Sequence, residues 1–235
     1  SMGRAMLYRW AHCVVAPTAI TTAWLETHTR PRAALTIPNP ISMPLPDTDP
    51  VLDPDSVLAP DRSLLLAVGR LSHEKGFDLL IPVFAKLAPA HPDWVLVILG
   101  DGEQRSALET LIDQHALRQR VMLPGIAGNI GSWYQRANLF VMSSRYEGFG
   151  YSLAEAMSYG CAAISFRCDS GPGEIIQSES EGILVEPGNI EALRAALHDL
   201  MIDLTHRQTL ANAGKQATER FSEAVVLAQW KELVF

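Results

Sequence analysis

The strongest pattern in the chain is a regular alternation of apolar runs and amphipathic segments that begins near Ser63. Continuous apolar runs, typical of buried strands, occur at residues 64–68, 95–99, 121–123, 139–142, 162–166 and 182–185. Apolar residues at helical spacing between these runs predict helices at residues 77–90, 103–115, 130–137 and 189–205, and a helical turn at 173–176. Strands that are apolar throughout and alternate with helices indicate a parallel sheet covered on both faces, so we predict an α/β, doubly wound fold.

The amino-terminal part of the chain lacks this regularity. Residues 8–41 predict a strand, a helix over 19–27 that Thr18 caps, and a second strand over 34–37. So few elements cannot bury a core of their own. We therefore predict that residues 1–41 are the remnant of a larger amino-terminal domain that lies upstream.

A segment rich in proline and aspartate, residues 42–61, predicts a linker to the main domain, residues 62–220. The linker contains two Asp-x-Asp triplets, Asp47-Thr-Asp49 and Asp53-Pro-Asp55, and such a triplet can hold a divalent metal against a nucleotide diphosphate. In a Pro-rich acidic segment we favour a solvated boundary over a metal site. A break after the main domain predicts that a last helix, residues 221–235, leaves its body.

Composition excludes several classes of function. The net charge of −7 argues against broad binding to nucleic acid or anionic membranes. The three cysteines, at 13, 161 and 168, lack C-x-x-C spacing, which argues against a disulfide frame or a zinc site and favours a reducing cytosol. No apolar run reaches the length of a membrane span, and charges interrupt the start where a signal peptide would be apolar. We expect a cytoplasmic protein, or peripheral attachment to the inner membrane face in the full-length form.

Two loops at strand ends carry the residues best suited to chemistry. The loop Gly69-Arg-Leu-Ser-His-Glu-Lys-Gly76 contains Arg70 and Lys75, which would neutralise a diphosphate without a metal. The stretch Ser143–Met157 makes a glycine-bearing turn into a helix, whose free N–H groups and dipole favour an anion. Because the carboxyl ends of parallel strands share one sheet edge, we expect both loops to face one ligand. A solvated surface loop is the alternative for the two cations.

The second stretch contains two carboxylates, Glu147 in the turn and Glu155 in the helix. An acid–base pair for glycoside hydrolysis needs carboxyl groups about 5–9.5 Å apart. Eight helical residues rise about 12 Å, so we expect the two carboxylates to hold different parts of one elongated ligand. The alternative for each residue taken alone is structural. Glu147 could be an ordinary turn residue, and Glu155 could be a helix cap or an ion-pair partner. The turn Gly171-Pro-Gly173-Glu174 is a candidate wall of the same pocket. The alternative is an ordinary turn that only ends one element and starts the next.

In this order and spacing, Gly69–Gly76, Gly100-Asp-Gly102 and Glu147–Met157 resemble the carboxy-terminal half of retaining glycosyltransferases with the GT-B fold. More narrowly, they are similar to family 4, the glycosyl transferases group 1, which includes sucrose-phosphate synthases and bacterial polysaccharide transferases. The resemblance covers residues 62–205, and residues 8–41 resemble the end of that family's amino-terminal domain. It implies the Rossmann-like half of a GT-B fold, whose last helix crosses back onto the amino-terminal domain.

The resemblance implies three catalytic residues, Glu147, Arg70 and Lys75. Arg70 and Lys75 would bind the donor diphosphate and stabilise it as the leaving group. Glu147 would bind hydroxyls of the donor sugar and support positive charge at the anomeric carbon. The resemblance also implies a set of donor-binding residues: Gly69, Gly125, Ile126, Gly148, Phe149, Gly150, Tyr151, Ser152 and Glu155.

Within this set, each part of the donor has its own contacts. Glu155 would bond the ribose, backbone N–H groups from Phe149 to Ser152 would contact sugar and phosphate, and the loop Gly125–Gly128 would meet the base. Neither a metal nor a cofactor is required. A UDP-sugar is favoured, because Gly171–Ile176 resembles a variant found among polysaccharide transferases.

The implied reaction moves a sugar from a nucleotide-diphosphate sugar to an acceptor with retention of anomeric configuration, in polysaccharide or glycoconjugate synthesis. The acceptor would be a sugar, a lipid or a small molecule, bound mainly by the missing amino-terminal domain, and nucleic acid is not an expected partner. We therefore expect this chain alone to bind the donor but to transfer sugar poorly. The alternatives are a nucleotide-sugar-binding module without transfer activity and a GT-B-like nucleotide-sugar epimerase.

Overall fold

The computed structural model describes residues 7–8 and 10–234. Its main body is a six-stranded parallel sheet with the strand order β5-β4-β3-β6-β7-β8. The strands are β3 (Ser63–Val68), β4 (Trp94–Leu99), β5 (Val121–Gly125), β6 (Leu139–Met142), β7 (Ala163–Phe166) and β8 (Ile183–Val185). The order runs outward from β3 in one direction and from β6 in the other, so the winding reverses between these two strands.

Helices cover both faces of this sheet. They are α3 (Phe77–Leu87), α4 (Arg105–Gln114), α5 (Ile130–Arg136), α6 (Tyr151–Ser158), α7 (Pro172–Ile175), α8 (Ile190–Ile202) and α9 (Leu204–Ala217). Alternate residues of a strand point to opposite faces. In β3, Leu65 and Ala67 belong to the core under α3, α4 and α8, whereas Leu64 and Leu66 belong to the core under α5 and α6. The predicted doubly wound parallel sheet is confirmed.

The predicted single helix over 189–205 is wrong. The helix α8 ends at Ile202, and α9 begins at Leu204. Asp203 lies between them in an extended conformation, and its Oδ1 accepts a hydrogen bond of 2.8 Å from the backbone N–H of His206. An aspartate at this position caps the next helix and so ends the continuous helical pattern.

The amino-terminal segment forms a small unit of its own. Strands β1 (Val14–Ala16) and β2 (Ala34–Thr36) pair in parallel, and α1 (Ala19–Thr29) connects them. The Thr18 side chain accepts from the N–H of Thr21, as expected of a helix cap. The predicted β-α-β pattern is therefore present, although the predicted remnant, 1–41, extends over residues 1–6 and 9, which lie outside the described residues.

The linker is less solvated than its composition predicts. Its acidic residues Asp47, Asp49 and Asp53 are exposed, but Leu58 lies in the core of the main domain and Leu52 packs against that core. A short helix, α2 (Pro54–Val57), begins at Pro54. The linker therefore packs along the main domain instead of standing away from it as a solvated boundary.

The last helix, α10 (Glu223–Val234), begins where the chain returns to the start of the linker. The N–H of Ile41 donates to the carbonyl of Phe221 at 2.8 Å, and Ile41 forms an isolated parallel bridge with Ser222. The start of the linker and the start of the last helix thus lie side by side. Within the described part of the chain, no helix combines the length and the apolar character that crossing a membrane requires.

Candidate functional site

The loops after β3 and β6 meet at the carboxyl edge of the sheet, where the winding reverses. Lys75, from the first loop, places its Nζ 2.7 Å from Oε1 of Glu147 in the second loop. The carboxyl ends of strands at such a reversal are the usual ligand site of doubly wound sheets. The fold thus brings together two of the three residues predicted to be catalytic, which lie 72 positions apart in sequence.

The carboxylate of Glu147 is held from two sides. Its Oε1 also accepts a hydrogen bond of 2.6 Å from Oγ of Ser144, and only 9% of the Glu147 side chain is exposed. Its Oε2 accepts no hydrogen bond from any described residue, so this oxygen is available to a ligand. Sequence reasoning missed Ser144, which lies three residues before Glu147 in the same turn.

Arg70, the third predicted catalytic residue, has a different environment. Its side chain is exposed, and within residues 7–8 and 10–234 it forms no hydrogen bond or ion pair. It follows Gly69 directly after β3, at the same sheet edge as Lys75. Without a direct ion pair, the Arg70 guanidinium adds positive charge to this edge, and it is one of the groups that lower the pKa of Glu74 in the same loop.

The second loop presents a row of backbone donors. The N–H groups of residues 148–152 have no hydrogen-bond acceptor in the described part of the chain. Gly150 adopts φ +98°, a left-handed conformation that turns the chain into α6 and favours glycine. The Phe149 side chain is buried against Tyr151 and Phe221. Ser152 lies beside the first loop, with its Oγ 3.4 Å from the carbonyl of Val68.

Glu155, on α6, has a separate environment from Glu147. The hydroxyl of Tyr134 donates a 3.0 Å hydrogen bond to its Oε2, and Tyr134 itself is fully buried on α5. Burial raises the pKa of the Glu155 carboxyl, and the Tyr134 hydrogen bond opposes that shift. Burial and the neighbouring Glu155 also raise the pKa of Tyr134, so its hydroxyl stays a donor. Sequence reasoning missed Tyr134, because nothing local connects α5 with α6.

We expect Glu155→Gln to stabilise the free protein at neutral pH. Because folding raises the pKa of Glu155 above the unfolded value of 4.5, its contribution to stability is full below that pH. That contribution is lost as pH rises through the folded pKa, and a neutral glutamine avoids the loss. Thermal unfolding followed by circular dichroism should give the variant the higher Tm at pH 7 and the two proteins similar values below pH 4.5.

Glu191→Gln is the matched control for this pH dependence. Lys86 and Arg194 lower the pKa of the exposed Glu191 to about 2, so its contribution is present above the unfolded value and lost on acidification. Glu191→Gln should therefore lower the Tm at pH 7. The decrease should be small, because the side chain is exposed. A Tm difference for Glu155→Gln that is independent of pH would contradict this account of Glu155.

The loop after β5 joins the same edge. The carbonyl of Gly125 accepts from the N–H of Gly100 at 2.8 Å, and Ile126 is 59% exposed. The linker holds the far side of this loop, because Thr48 N–H donates to the carbonyl of Gly128 and Gly128 N–H donates to the carbonyl of Pro50. The predicted base-binding loop is therefore fixed by a segment that the sequence presents only as a boundary.

The loop before α7 forms a wall beside the second loop. Ser170 Oγ donates to the carbonyl of Gly148 at 2.8 Å. On the other side, Oε1 of Glu174 accepts from the N–H of Ala19, the first residue of α1. A cavity of about 560 Å³ lies between α1 and this wall. Neither Lys75 nor Glu147 lines this cavity, so the role of residues 171–174 as a wall of the donor pocket stays a prediction.

We expect Gly76→Ala to disrupt the contact between the two loops. Gly76 has φ +66°, and an added Cβ would lie 2.1 Å from the carbonyl oxygen of Ser143. Backbone strain alone costs about 1–3 kcal/mol, and the clash adds to it. Gly188→Ala is the control, since Gly188 has φ +74° but open space around it. Urea unfolding should show a larger loss in the free energy of unfolding for Gly76→Ala than for Gly188→Ala. Equal losses in the two variants would argue against close packing of the loops.

Other groups of the main domain are poor candidates for chemistry. Burial raises the pKa of Cys161 to about 12 and that of Cys168 to about 11, so neither thiol ionises near neutral pH. Among the described residues, no cluster of three or more His, Cys, Asp or Glu side chains could hold a metal ion. The site consists of cations, free N–H groups and two carboxylates.

Comparison with known proteins decides the family. The family model of the glycosyl transferases group 1 matches residues 50–217. The chain belongs to this family. An amylovoran biosynthesis glycosyltransferase of Erwinia amylovora is 31% identical over 173 residues, which cover 74% of this chain and 48% of that protein. This group 1 chain spans about half the length of that relative.

Two further proteins are similar to the group 1 chain. An exopolysaccharide phosphotransferase of Streptomyces coelicolor is 36% identical over 165 residues, which cover 70% of this chain and 18% of that protein. The solved structure of the Anabaena protein HepE in complex with UDP and glucose has a TM-score of 0.84 at 23% identity. The alignment covers 99% of this chain and 65% of HepE. The predicted Rossmann-like half of a GT-B fold is confirmed.

Proposed function

We propose that this group 1 chain is the donor-binding half of a family 4 retaining glycosyltransferase. Its substrate would be a nucleotide-diphosphate sugar, from which the sugar moves to an acceptor with retention of anomeric configuration. The observation that carries the proposal is the Lys75–Glu147 pair at the reversal of the sheet. Beside it stand the unpaired Arg70 and the free N–H groups of residues 148–152.

Cleavage of the sugar–phosphate bond leaves negative charge on the departing diphosphate. Arg70, Lys75 and the N-terminus of α6 provide fixed positive charge where this anion develops, which lowers the barrier to departure. Since these groups belong to the chain itself, the proposal requires neither a metal nor a cofactor. Retention follows when the acceptor attacks from the face that the diphosphate leaves, through an oxocarbenium-like state.

The two glutamates serve different ends of the donor. Glu147 would bind sugar hydroxyls through its open Oε2 and stabilise positive charge at the anomeric carbon. Glu155, oriented by Tyr134, would accept a hydrogen bond from the ribose. The loop at Gly125 and Ile126 would meet the base. A uridine nucleotide is supported by the similarity in fold to HepE, whose structure contains UDP and glucose.

We propose a place in polysaccharide or glycoconjugate synthesis, supported by the similarity to the amylovoran enzyme. The acceptor would bind to parts that the longer relatives have beyond the matched region. On this account the chain alone binds the donor and transfers sugar poorly. Arg70-dependent transfer by this chain at an ordinary enzymatic rate would contradict that expectation.

Calorimetric titration with UDP-, GDP- and ADP-sugars tests the proposal, with Arg70→Ala and Glu155→Ala as site variants. We expect saturable binding of one nucleotide class and clear weakening by both variants. Binding that neither variant weakens would locate the nucleotide elsewhere. The absence of binding for every nucleotide sugar would refute both the transferase and the alternative of a nucleotide-sugar-binding module.

A further inference from the structure

One side chain of the second loop reaches far into the first. The guanidinium of Arg145 donates from Nη1 to Oδ1 and from Nη2 to Oδ2 of Asp78, both at 2.8 Å. Asp78 lies in the first turn of α3, directly after the loop that carries Arg70 and Lys75. Such a two-point contact fixes the relative orientation of both groups as well as their distance.

The contacts of Arg145 continue into the first loop itself. Nη1 also donates to the carbonyl of His73 at 2.8 Å, and the Arg145 backbone N–H donates to the carbonyl of Glu74 at 2.7 Å. Next to it, Ser143 Oγ donates to the carbonyl of Lys75 at 3.0 Å. Three consecutive backbone carbonyls that precede Gly76 are thus held by residues 143–145.

We infer that Arg145 is a positioning residue of the donor site, which with Asp78 holds the first loop so that Lys75 and Glu147 meet. Arg145 itself acts through the loop and need not touch the donor. The inference rests on the proposed function, in which Lys75 would bind the diphosphate and Glu147 would bind the sugar. A lysine at position 145 could not replace the arginine, since it lacks the planar fork that serves Asp78 and His73 together.

A positioning role differs from a purely stabilising one. The side chains of Arg145 and Asp78 are 23% and 36% exposed, and a partly solvated ion pair adds little to global stability. Arg145 lowers the pKa of Asp78, which keeps that carboxylate ionised over the working pH range. We therefore expect Arg145→Lys to change the site far more than it changes Tm.

The first measurement follows the side-chain NMR signal of Lys75 in the absence of any ligand. The chain has four lysines, at 75, 86, 215 and 231, so reductive ¹³C-methylation gives few side-chain NMR signals, and Lys75→Arg assigns the relevant one. We expect Glu147→Gln and Arg145→Lys both to move the Lys75 signal towards those of exposed lysines. Arg194→Lys is the control, because Arg194 pairs with Glu191 at the same distance of 2.8 Å on α8. An unmoved Lys75 signal in Arg145→Lys would overturn the inference.

The second measurement is the affinity for UDP by calorimetry. We expect Arg145→Lys and Asp78→Asn each to weaken UDP binding about tenfold, as the loss of one positioned charged contact predicts. In a Lys75→Ala background, Arg145→Lys should have little further effect. If wild type binds UDP and Arg145→Lys binds it equally well, the inference fails while the proposed function stands. If wild type binds no nucleotide, the proposed function fails, and the Lys75 signal still decides whether Arg145 positions the loop.

Discussion

Replacing Arg70 with alanine is expected to weaken binding of nucleoside diphosphates by about 10- to 100-fold and to leave Tm unchanged. A hydrogen bond between charged groups contributes about 1.5–3 kcal/mol, which corresponds to this loss in affinity. Arg70 is exposed and has no partner among the described residues, so the free protein loses no contact seen in the structure. Calorimetry with UDP and thermal unfolding of the same samples give the two numbers.

Arg118→Ala is the matched control for Arg70→Ala. Arg118 is an exposed arginine that pairs with Asp113 at the amino end of β5, on the opposite edge of the sheet from Arg70. Its removal subtracts the same charge without touching the proposed site. If both variants weakened UDP binding equally, the affinity would depend only on the net charge of the protein. The assigned role of Arg70 would then be wrong.

Under the proposed function, Glu147→Gln is expected to lower sugar transfer by the full-length enzyme about 100- to 1000-fold, the usual cost of losing one electrostatic contact to a transition state. The amide can still accept from Ser144, but it no longer offers negative charge to the anomeric carbon. Affinity for UDP should stay the same or rise, because Lys75 is no longer neutralised by its 2.7 Å partner. Steady-state transfer kinetics and UDP titration measure the two effects.

Glu155→Gln provides the comparison for Glu147→Gln. It should weaken UDP binding itself, because the amide loses the charge that strengthens a hydrogen bond to the ribose. The glutamine keeps an acceptor for the Tyr134 hydroxyl, so the side chain stays oriented as in the wild type. If both variants reduced the affinity for UDP equally, the division of roles between the two glutamates would be refuted.

The sheet could be predicted because its signal is local. Each central strand is an apolar run, as in Leu64–Val68 and Val95–Leu99, and the helices between them carry helical periodicity. The predicted location of the candidate site rests on the same pattern, since glycine-bearing loops come directly after strands. The contact between Lys75 and Glu147 agrees with the expectation that loops after different strands face one ligand.

Apart from the local contact of Ser144 with Glu147, the contacts missed by sequence reasoning join distant segments. Tyr134 with Glu155, Arg145 with Asp78, and Thr48 with Gly128 join residues on different elements, and no spacing rule connects them. The break at Asp203 is a different case, because its aspartate cap is visible in the sequence but lies inside a strong helical pattern. These side chains decide how firmly the site is held.

The amide NMR spectrum of the ¹⁵N-labelled chain during a UDP-glucose titration tests the location of the site most directly. The free N–H groups of residues 148–152 and the loop 69–76 should give the largest shifts, because the diphosphate would bind to them. Amide signals from the amino edge of the sheet, near Arg118, should not shift. Shifts concentrated at that edge, or a spectrum that does not change while UDP-glucose binds a longer relative under the same conditions, would contradict a donor site at the reversal of the sheet.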